Sequence, residues 1–105
     1  MKQGINYLLQ IEIGMDVDLI EKMEFIFKQG EKEKLFLYPG EKAIKQNNNI
    51  IALKWTSEET YFFKPANIEI DTRITLKDSE YQPETEIKTI YMKRTLFEPE
   101  ETSEA

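Results

Sequence analysis

The sequence predicts an all-β domain, an antiparallel immunoglobulin-like β-sandwich of six or seven strands with one short helical turn near residues 57–61. Three observations predict this fold. Short segments alternate apolar and polar residues with a period of two, and turn residues separate them at roughly ten-residue intervals. No segment carries the 3.6-residue apolar period of a long helix. A small closed barrel is the alternative architecture.

The first third of the chain predicts three strands. Residues 5–13 form the first, because apolar side chains occupy its odd positions and mostly polar ones its even positions. Residues 17–21 fit neither period and carry no assignment. The next strand is centred on residues 23–28, and Gly30 provides a turn into a third strand at residues 34–38.

Turn chemistry organises the middle of the chain. Pro39–Gly40 predicts a tight turn in which the glycine takes a positive φ. A short strand at residues 42–46 follows. The three asparagines at 47–49 tolerate left-handed backbone angles and predict a hairpin turn into a strand at residues 50–55.

The remaining elements follow from one cap and two periodic segments. Thr56 and Glu59 have capping-box spacing, which predicts a helical turn that Pro65 ends. Residues 67–77 alternate cleanly and predict a strand. Residues 86–96 predict a last strand with a β-bulge near residues 88–89, because its apolar residues fall out of phase.

Composition limits the function classes. The chain has 105 residues with no histidine and no cysteine, which removes the commonest catalytic bases and soft metal ligands. Its net charge is −6, and four of the 20 acidic residues lie in the last eight positions. The sequence therefore predicts a domain at residues 1–97 and a disordered acidic tail at 98–105. A nearly neutral domain has no basic stripe for nucleic acid, so we expect none as a partner.

Four phrases of the sequence resemble a known family. They are "LIEKMEFIFKQG" at Leu19–Gly30, the "N-x-I-x-L-x-W-T-x-E-E-T" pattern at Asn49–Thr60, "IEIDTRI" at Ile68–Ile74 and "RTL" at Arg94–Leu96. Their order resembles that of small proteins from Firmicute phage and prophage tail regions, which are similar to the N-terminal domain of the baseplate upper protein. The resemblance covers residues 3–97. It implies a non-enzymatic structural or assembly role, with other tail or baseplate proteins as partners.

Two surfaces are candidates for binding. Apolar residues on strand faces that a lone sandwich normally leaves wet predict a subunit interface, with a homo-oligomer as one form of it: Leu8, Ile26, Ile50, Ile90 and Met92. Burial of these residues within one chain is the competing interpretation. The alternative function is a carbohydrate-binding sandwich that recognises a cell-surface glycan with an aromatic platform of Trp55 and Tyr61. However, Trp55 is in phase with Ile51 and Leu53, which favours an inward position.

Other chemistry receives less support. Asp16 and Asp18 lack the further oxygen ligands that Ca²⁺ requires at loop spacing, so no metal or cofactor is predicted. Two carboxylate pairs, Glu58–Glu59 and Glu69–Asp71, have the residue types of a glycosidase. Capping and solvated strand faces explain them better, and we expect no enzyme.

Location follows from the N-terminal segment and the resemblance. Residues 1–13 alternate apolar and polar residues, which is atypical of signal peptides and membrane spans. We therefore expect a protein without a signal peptide or a membrane partner. Its place is the bacterial host cytoplasm during assembly, with incorporation into the virion left open.

Overall fold

A computed structural model describes residues 1–98 of the chain. Within that range the strands are β1 (Tyr7–Glu12), β2 (Ile20–Gln29), β3 (Lys32–Tyr38), β4 (Ala43–Asn47), β5 (Ile50–Trp55), β6 (Asn67–Leu76) and β7 (Lys88–Tyr91). One helix, α1 (Ser57–Phe62), follows β5. A 3₁₀ turn at Val17–Leu19, capped by the Asp16 carboxylate, occupies the segment that fitted neither period. Most of the predicted acidic tail, residues 99–105, lies outside the described residues.

The seven strands of residues 1–98 form two antiparallel sheets. One has the order β1-β5-β4 and the other β3-β2-β6-β7. The predicted all-β sandwich is confirmed, and the sheets do not join into the alternative barrel within this part of the chain. The strand order differs from that of antibody domains, in which the second strand lies beside the first. Here β1 lies beside β5, and β2 lies between β3 and β6.

An aromatic cluster fills the space between the sheets. Trp55 lies 4.9 Å from Phe27, 4.9 Å from Phe36 and 6.0 Å from Phe63, measured between ring centroids. All four side chains are buried. They come from β5, β2, β3 and the residue after α1, so the cluster joins both sheets and the helix. The Trp55–Phe27 pair is edge-to-face, and aromatic packing of that kind adds to the gain from apolar burial.

The turn between β3 and β4 differs from the prediction. Gly40 does not take a positive φ, and the Tyr38–Pro39 peptide is cis. A Cβ on Gly40 would lie 2.7 Å from the Leu37 carbonyl oxygen. Glycine is therefore needed here for close backbone approach, whereas the sequence suggested a left-handed turn position.

The asparagine turn between β4 and β5 also forms by a different device. Among residues 1–98 no non-glycine residue has a positive φ, so the asparagines are not left-handed. Instead, the Asn49 amide donates to Asn47 Oδ1 at 3.0 Å, which makes an Asx turn. The carbonyls of Asn48 and Asn49 also accept hydrogen bonds from the amides of Val17 and Ile13, respectively. These bonds join the turn to the segment between β1 and β2.

The capping box is confirmed. The Glu59 amide donates to Thr56 Oγ1 at 3.2 Å, and the Thr56 amide donates to Glu59 Oε1 at 2.8 Å. One turn later, the buried Thr60 hydroxyl accepts from the amides of Gly4 and Ile5. The helix therefore fastens the N-terminal segment to the end of the sandwich.

Strand β7 corrects the predicted last strand. It pairs with β6 in an unbroken register from Asn67↔Tyr91 to Ile70↔Lys88, so the predicted bulge near residues 88–89 is absent from this part of the chain. The strand spans only Lys88–Tyr91, whereas the sequence predicted residues 86–96. Beyond β7, Lys93 forms a parallel bridge with Lys2, and its amide donates to the Met1 carbonyl at 2.7 Å.

Two further findings concern the described residues alone. Neither α1 nor the 3₁₀ turn, the helical segments within residues 1–98, has the length and apolar character of a membrane-crossing helix. The same residues contain no group of three or more acidic side chains placed to hold a metal ion.

Candidate functional site

The outer face of the four-stranded sheet carries an apolar surface at β3. Leu35 is 55 % exposed and Leu37 is 48 % exposed, although both lie in a regular strand. Leu35 pairs with Ile26 of β2, and Leu37 pairs with Glu24. These residues face solvent because Phe36, between the two leucines, takes the inward position. We call Ile26, Leu35 and Leu37 the β3 surface.

The β2–β3 hairpin determines which backbone groups of β3 face the open edge. Gln29 pairs with Lys32 across a two-residue turn, which makes them a hydrogen-bonded pair. Hydrogen-bonded and non-hydrogen-bonded pairs alternate along an antiparallel ladder. Glu33, Leu35 and Leu37 therefore direct their N–H and C=O groups away from β2. In the sheet of the described residues, β3 is an edge strand, so the backbone groups of Glu33 and Leu35 face no neighbouring strand, whereas the Leu37 carbonyl lies against the Gly40 backbone.

Lysines occupy the inner row of the same edge. Lys32 Nζ donates to the Phe62 carbonyl at 2.9 Å, and Lys34 Nζ lies 5.1 Å from the Phe62 ring centroid. Lys34 Nζ also lies 3.9 Å from Glu59 Oε2, and Lys42 donates to Glu59 Oε1. Lys34 and Lys42 thus share one carboxylate, whereas Lys32 has no carboxylate partner among the described residues. This inner row remains cationic, which discourages unselective pairing of the edge.

Glu59 is the titratable group of this region with a shifted pKa. Burial raises the pKa of Glu59, but hydrogen bonds from the Lys42 ammonium and the Thr56 amide outweigh burial and hold that pKa below its usual value. A glycosidase proton donor needs the opposite shift. Glu59 therefore acts as a structural anion that caps α1 and binds lysines.

The predicted interface residues do not form one surface. Leu8 and Ile50 lie on the outer face of the three-stranded sheet, whereas Ile26 lies on the opposite side of the sandwich. Leu8 pairs with Lys54, four positions along β5 from Ile50, so about 13 Å separates the two residues along the strand.

Two members of that predicted set are wrong. Ile90 pairs with the buried Ile68, and directly paired residues share a sheet face, so Ile90 points into the core. Met92 is 0 % exposed, and its amide donates to the Ala66 carbonyl at 3.0 Å. Ile90 is interior because the register of β7 on β6 places it opposite Ile68, and Met92, two positions further along, stays on the same side. The competing interpretation, burial within one chain, holds for this pair.

The predicted glycan platform is also wrong for Trp55. Its side chain is 2 % exposed, so its ring cannot stack on a sugar, and the inward position favoured by the sequence is confirmed. The indole Nε1 has no hydrogen-bond partner among the described residues. Tyr61 forms no platform with Trp55. Its hydroxyl donates to the Phe97 carbonyl at 2.5 Å, and its ring covers Gly4.

The remaining acidic candidates have structural surroundings. Asp16 accepts from the Asp18 amide at 2.9 Å, and Asp18 accepts from Lys45 Nζ at 2.8 Å. This contact lowers the pKa of Asp18, chiefly through the Lys45 hydrogen bond. Glu69 and Asp71 lie on the solvated face of β6, as expected from its alternation.

Sequence reasoning missed Leu35 and Leu37, the most exposed members of the β3 surface. A signal was present: Leu35, Phe36 and Leu37 are consecutive apolar residues, and an alternating strand cannot bury three in a row on one face. A run of that kind in an edge strand predicts apolar side chains on both faces.

Comparison of the chain with models of known families, with curated proteins and with solved structures found no match. Functional interpretation therefore depends on the geometry of the molecule and on the resemblance of its sequence phrases.

Proposed function

We propose that this chain is a non-enzymatic structural or assembly protein of a phage or prophage tail or baseplate, and that it works through protein–protein contacts. The four sequence phrases that resemble those of small tail-region proteins support the tail assignment. The geometry supports the mode of action, because the described residues offer a contact surface and an open strand edge.

The β3 surface is the observation that carries this proposal. An exposed apolar strand edge is a liability that soluble proteins normally avoid or cover. Here Leu35 and Leu37 remain exposed beside unpaired backbone groups, and Ile26 extends the apolar area onto β2. A partner strand at this edge would gain backbone hydrogen bonds and cover the leucines together. Other tail proteins or a second copy of the chain would both satisfy this geometry.

The test compares particles made with and without a working β3 surface. The gene is deleted in a host strain that carries it, phage production is induced, and particles are examined by electron microscopy. We expect particles with incomplete tails, restored by the wild-type gene. Leu35→Glu should fail to restore them, because a charge at the centre of the contact would have to be desolvated.

Leu19→Glu is the matched control. Leu19 is 52 % exposed, comparable to Leu35, but it lies in the 3₁₀ turn and away from β3. Both purified variants should unfold at the wild-type temperature, since neither side chain is buried. Complete particles in the deletion strain, or full restoration by Leu35→Glu, would refute the proposal. Light scattering of the purified chain distinguishes a second copy from a different partner.

A further inference from the structure

Half of β6 lacks a neighbouring strand on one side. Strand β7 pairs only with Asn67–Ile70, so the edge of residues 71–76 has no strand beside it in the described chain. Side chains take its place at Thr72: the Thr72 amide donates to Asp71 Oδ1 at 2.8 Å, and its carbonyl accepts from Thr85 Oγ1 at 2.7 Å. These two bonds occupy the groups that a paired strand would bind.

The chain's own next segment cannot fill this position. Continuing the β6–β7 register would set Glu86 opposite Thr72 and Glu84 opposite Ile74. Ile74 is buried and faces the core, so both carboxylates would point into the sandwich. Burying unpaired carboxylates costs several kcal/mol. The strand therefore stops at Lys88, and the segment before it runs as a loop.

A cleft lies beneath the vacant position, between the two sheets. Its volume is about 300 Å³, and apolar side chains form its floor: Ile11, Ile13, Met23, Ile70 and Ile74. Its rim carries the carboxylates of Glu84 and Glu86 against the single ammonium of Lys88. The cleft thus combines an apolar floor with a net negative rim.

The loop that covers the vacant edge is weakly held. Besides the Thr85 hydroxyl bond, Gln82 Nε2 donates to Thr75 Oγ1 at 3.3 Å. The large apolar side chains of the loop, Tyr81 and Ile87, are exposed and contribute little burial. Segments with few buried contacts open at low free-energy cost. An incoming strand therefore competes against three side-chain hydrogen bonds, those of Asp71, Gln82 and Thr85, and against little packing.

We propose that the β6 edge from Thr72 to Leu76, with the cleft beneath it, binds an extended segment of a partner polypeptide by strand addition. The segment carries apolar side chains at the two alternate positions where this chain has Glu84 and Glu86. It carries Lys or Arg at its ends, because the rim is acidic. This site is separate from the β3 surface and does not depend on it.

The probe is the synthetic peptide Lys-Thr-Val-Thr-Ile-Thr-Lys, whose Val and Ile point to one face of an extended strand. Two control peptides replace both lysines by glutamate or carry N-methyl groups on the backbone nitrogens of Val and Ile, which removes the N–H groups that would donate to β6. Binding to the full chain is measured by calorimetry, and the binding site by amide hydrogen exchange. We expect the lysine peptide to bind and to slow exchange at Ile74, with both control peptides much weaker.

Two variants test the assignment of residues. Thr85→Val removes the hydroxyl that competes for the Thr72 carbonyl, and it should tighten peptide binding about fivefold. Glu84→Lys with Glu86→Lys should weaken binding of the lysine peptide and improve binding of the glutamate peptide. The matched control is Asp78→Lys with Glu80→Lys, which makes the same charge change elsewhere in the loop.

Each other outcome overturns the proposal. Absence of binding at millimolar peptide, or equal binding of the N-methylated peptide, excludes strand addition. Equal binding of the glutamate peptide excludes the basic partner. Slowed exchange at Leu35 in place of Ile74 moves the site to β3. Self-association that slows exchange at Ile74 without peptide identifies a second copy as the occupant.

Discussion

Replacing Thr60 by valine should destabilise this protein more than replacing it by serine. The Thr60 side chain is 0 % exposed, and its hydroxyl oxygen lies 2.9 Å from the Gly4 amide and 3.2 Å from the Ile5 amide. The hydroxyl proton is directed to the carbonyl of Ile5 or Ser57, each at 3.0 Å. This one group therefore joins α1 to the N-terminal segment.

The magnitude follows from the groups that lose a partner. Thr60→Val keeps the shape but leaves the Gly4 and Ile5 amides unpaired, at about 2 kcal/mol each. Burial of the new methyl group returns about 1 kcal/mol, so the net loss is about 3 kcal/mol. Thr60→Ser keeps the hydroxyl and loses one methyl group, which costs about 1 kcal/mol.

Urea unfolding measures this difference, with the fluorescence of Trp55 as the reporter. For an m-value of about 1.5 kcal/mol per M, Thr60→Val should lower the midpoint by about 2 M and Thr60→Ser by about 0.7 M. A valine variant with the wild-type midpoint would refute the reasoning. So would a serine variant that loses as much stability as the valine variant, because packing would then outweigh the hydrogen bonds.

Three further predictions concern the same end of the sandwich. Gly4→Ala should lower the melting temperature more than Gly14→Ala: both glycines have a positive φ, but only at Gly4 does a Cβ meet an atom of the described chain, 2.8 Å away in the Tyr61 ring. Equal shifts would contradict this. Glu59→Gln should cost most stability at neutral pH, since a lowered folded-state pKa gives stability that is lost as pH falls through it. Urea titrations at pH 7 and about pH 3 should show the gap narrowing; a constant gap would contradict it. Trp55 emission should stay blue-shifted and unchanged when cell-wall glycans are added, and a spectral shift would restore the platform hypothesis.

Local patterns in the sequence were sufficient for much of the fold. The strict alternation of β6 and the capping box at Thr56 each specify a local structure that needs no distant partner. The same is true of the inward phase of Trp55, because its alternation with Leu53 is fixed within β5. Each of these features depends on residues fewer than about ten positions apart.

Features that depend on pairing could not be read in this way. The inward phase of Ile90 depends on the register of β7 on β6, which places Ile90 opposite Ile68. Met92 is buried beyond the end of β7, where its amide donates a hydrogen bond to the Ala66 carbonyl. The open backbone groups beside Leu35 depend on β3 being an edge, which is a property of strand order. Period-two patterning contains no information on strand order.

The two proposed contacts lie at opposite edges of one sheet. A strand added at β3 and another added at β6 would be separated by β3, β2 and β6, so four strand spacings, or about 19 Å, would lie between them. Neither partner blocks the other at that distance. Leu35→Glu should therefore leave peptide-induced protection at Ile74 unchanged, and Thr85→Val should leave tail completion unchanged. This pair of crossed measurements separates failure of one proposal from failure of the other, since a variant that simply unfolds the protein would abolish both.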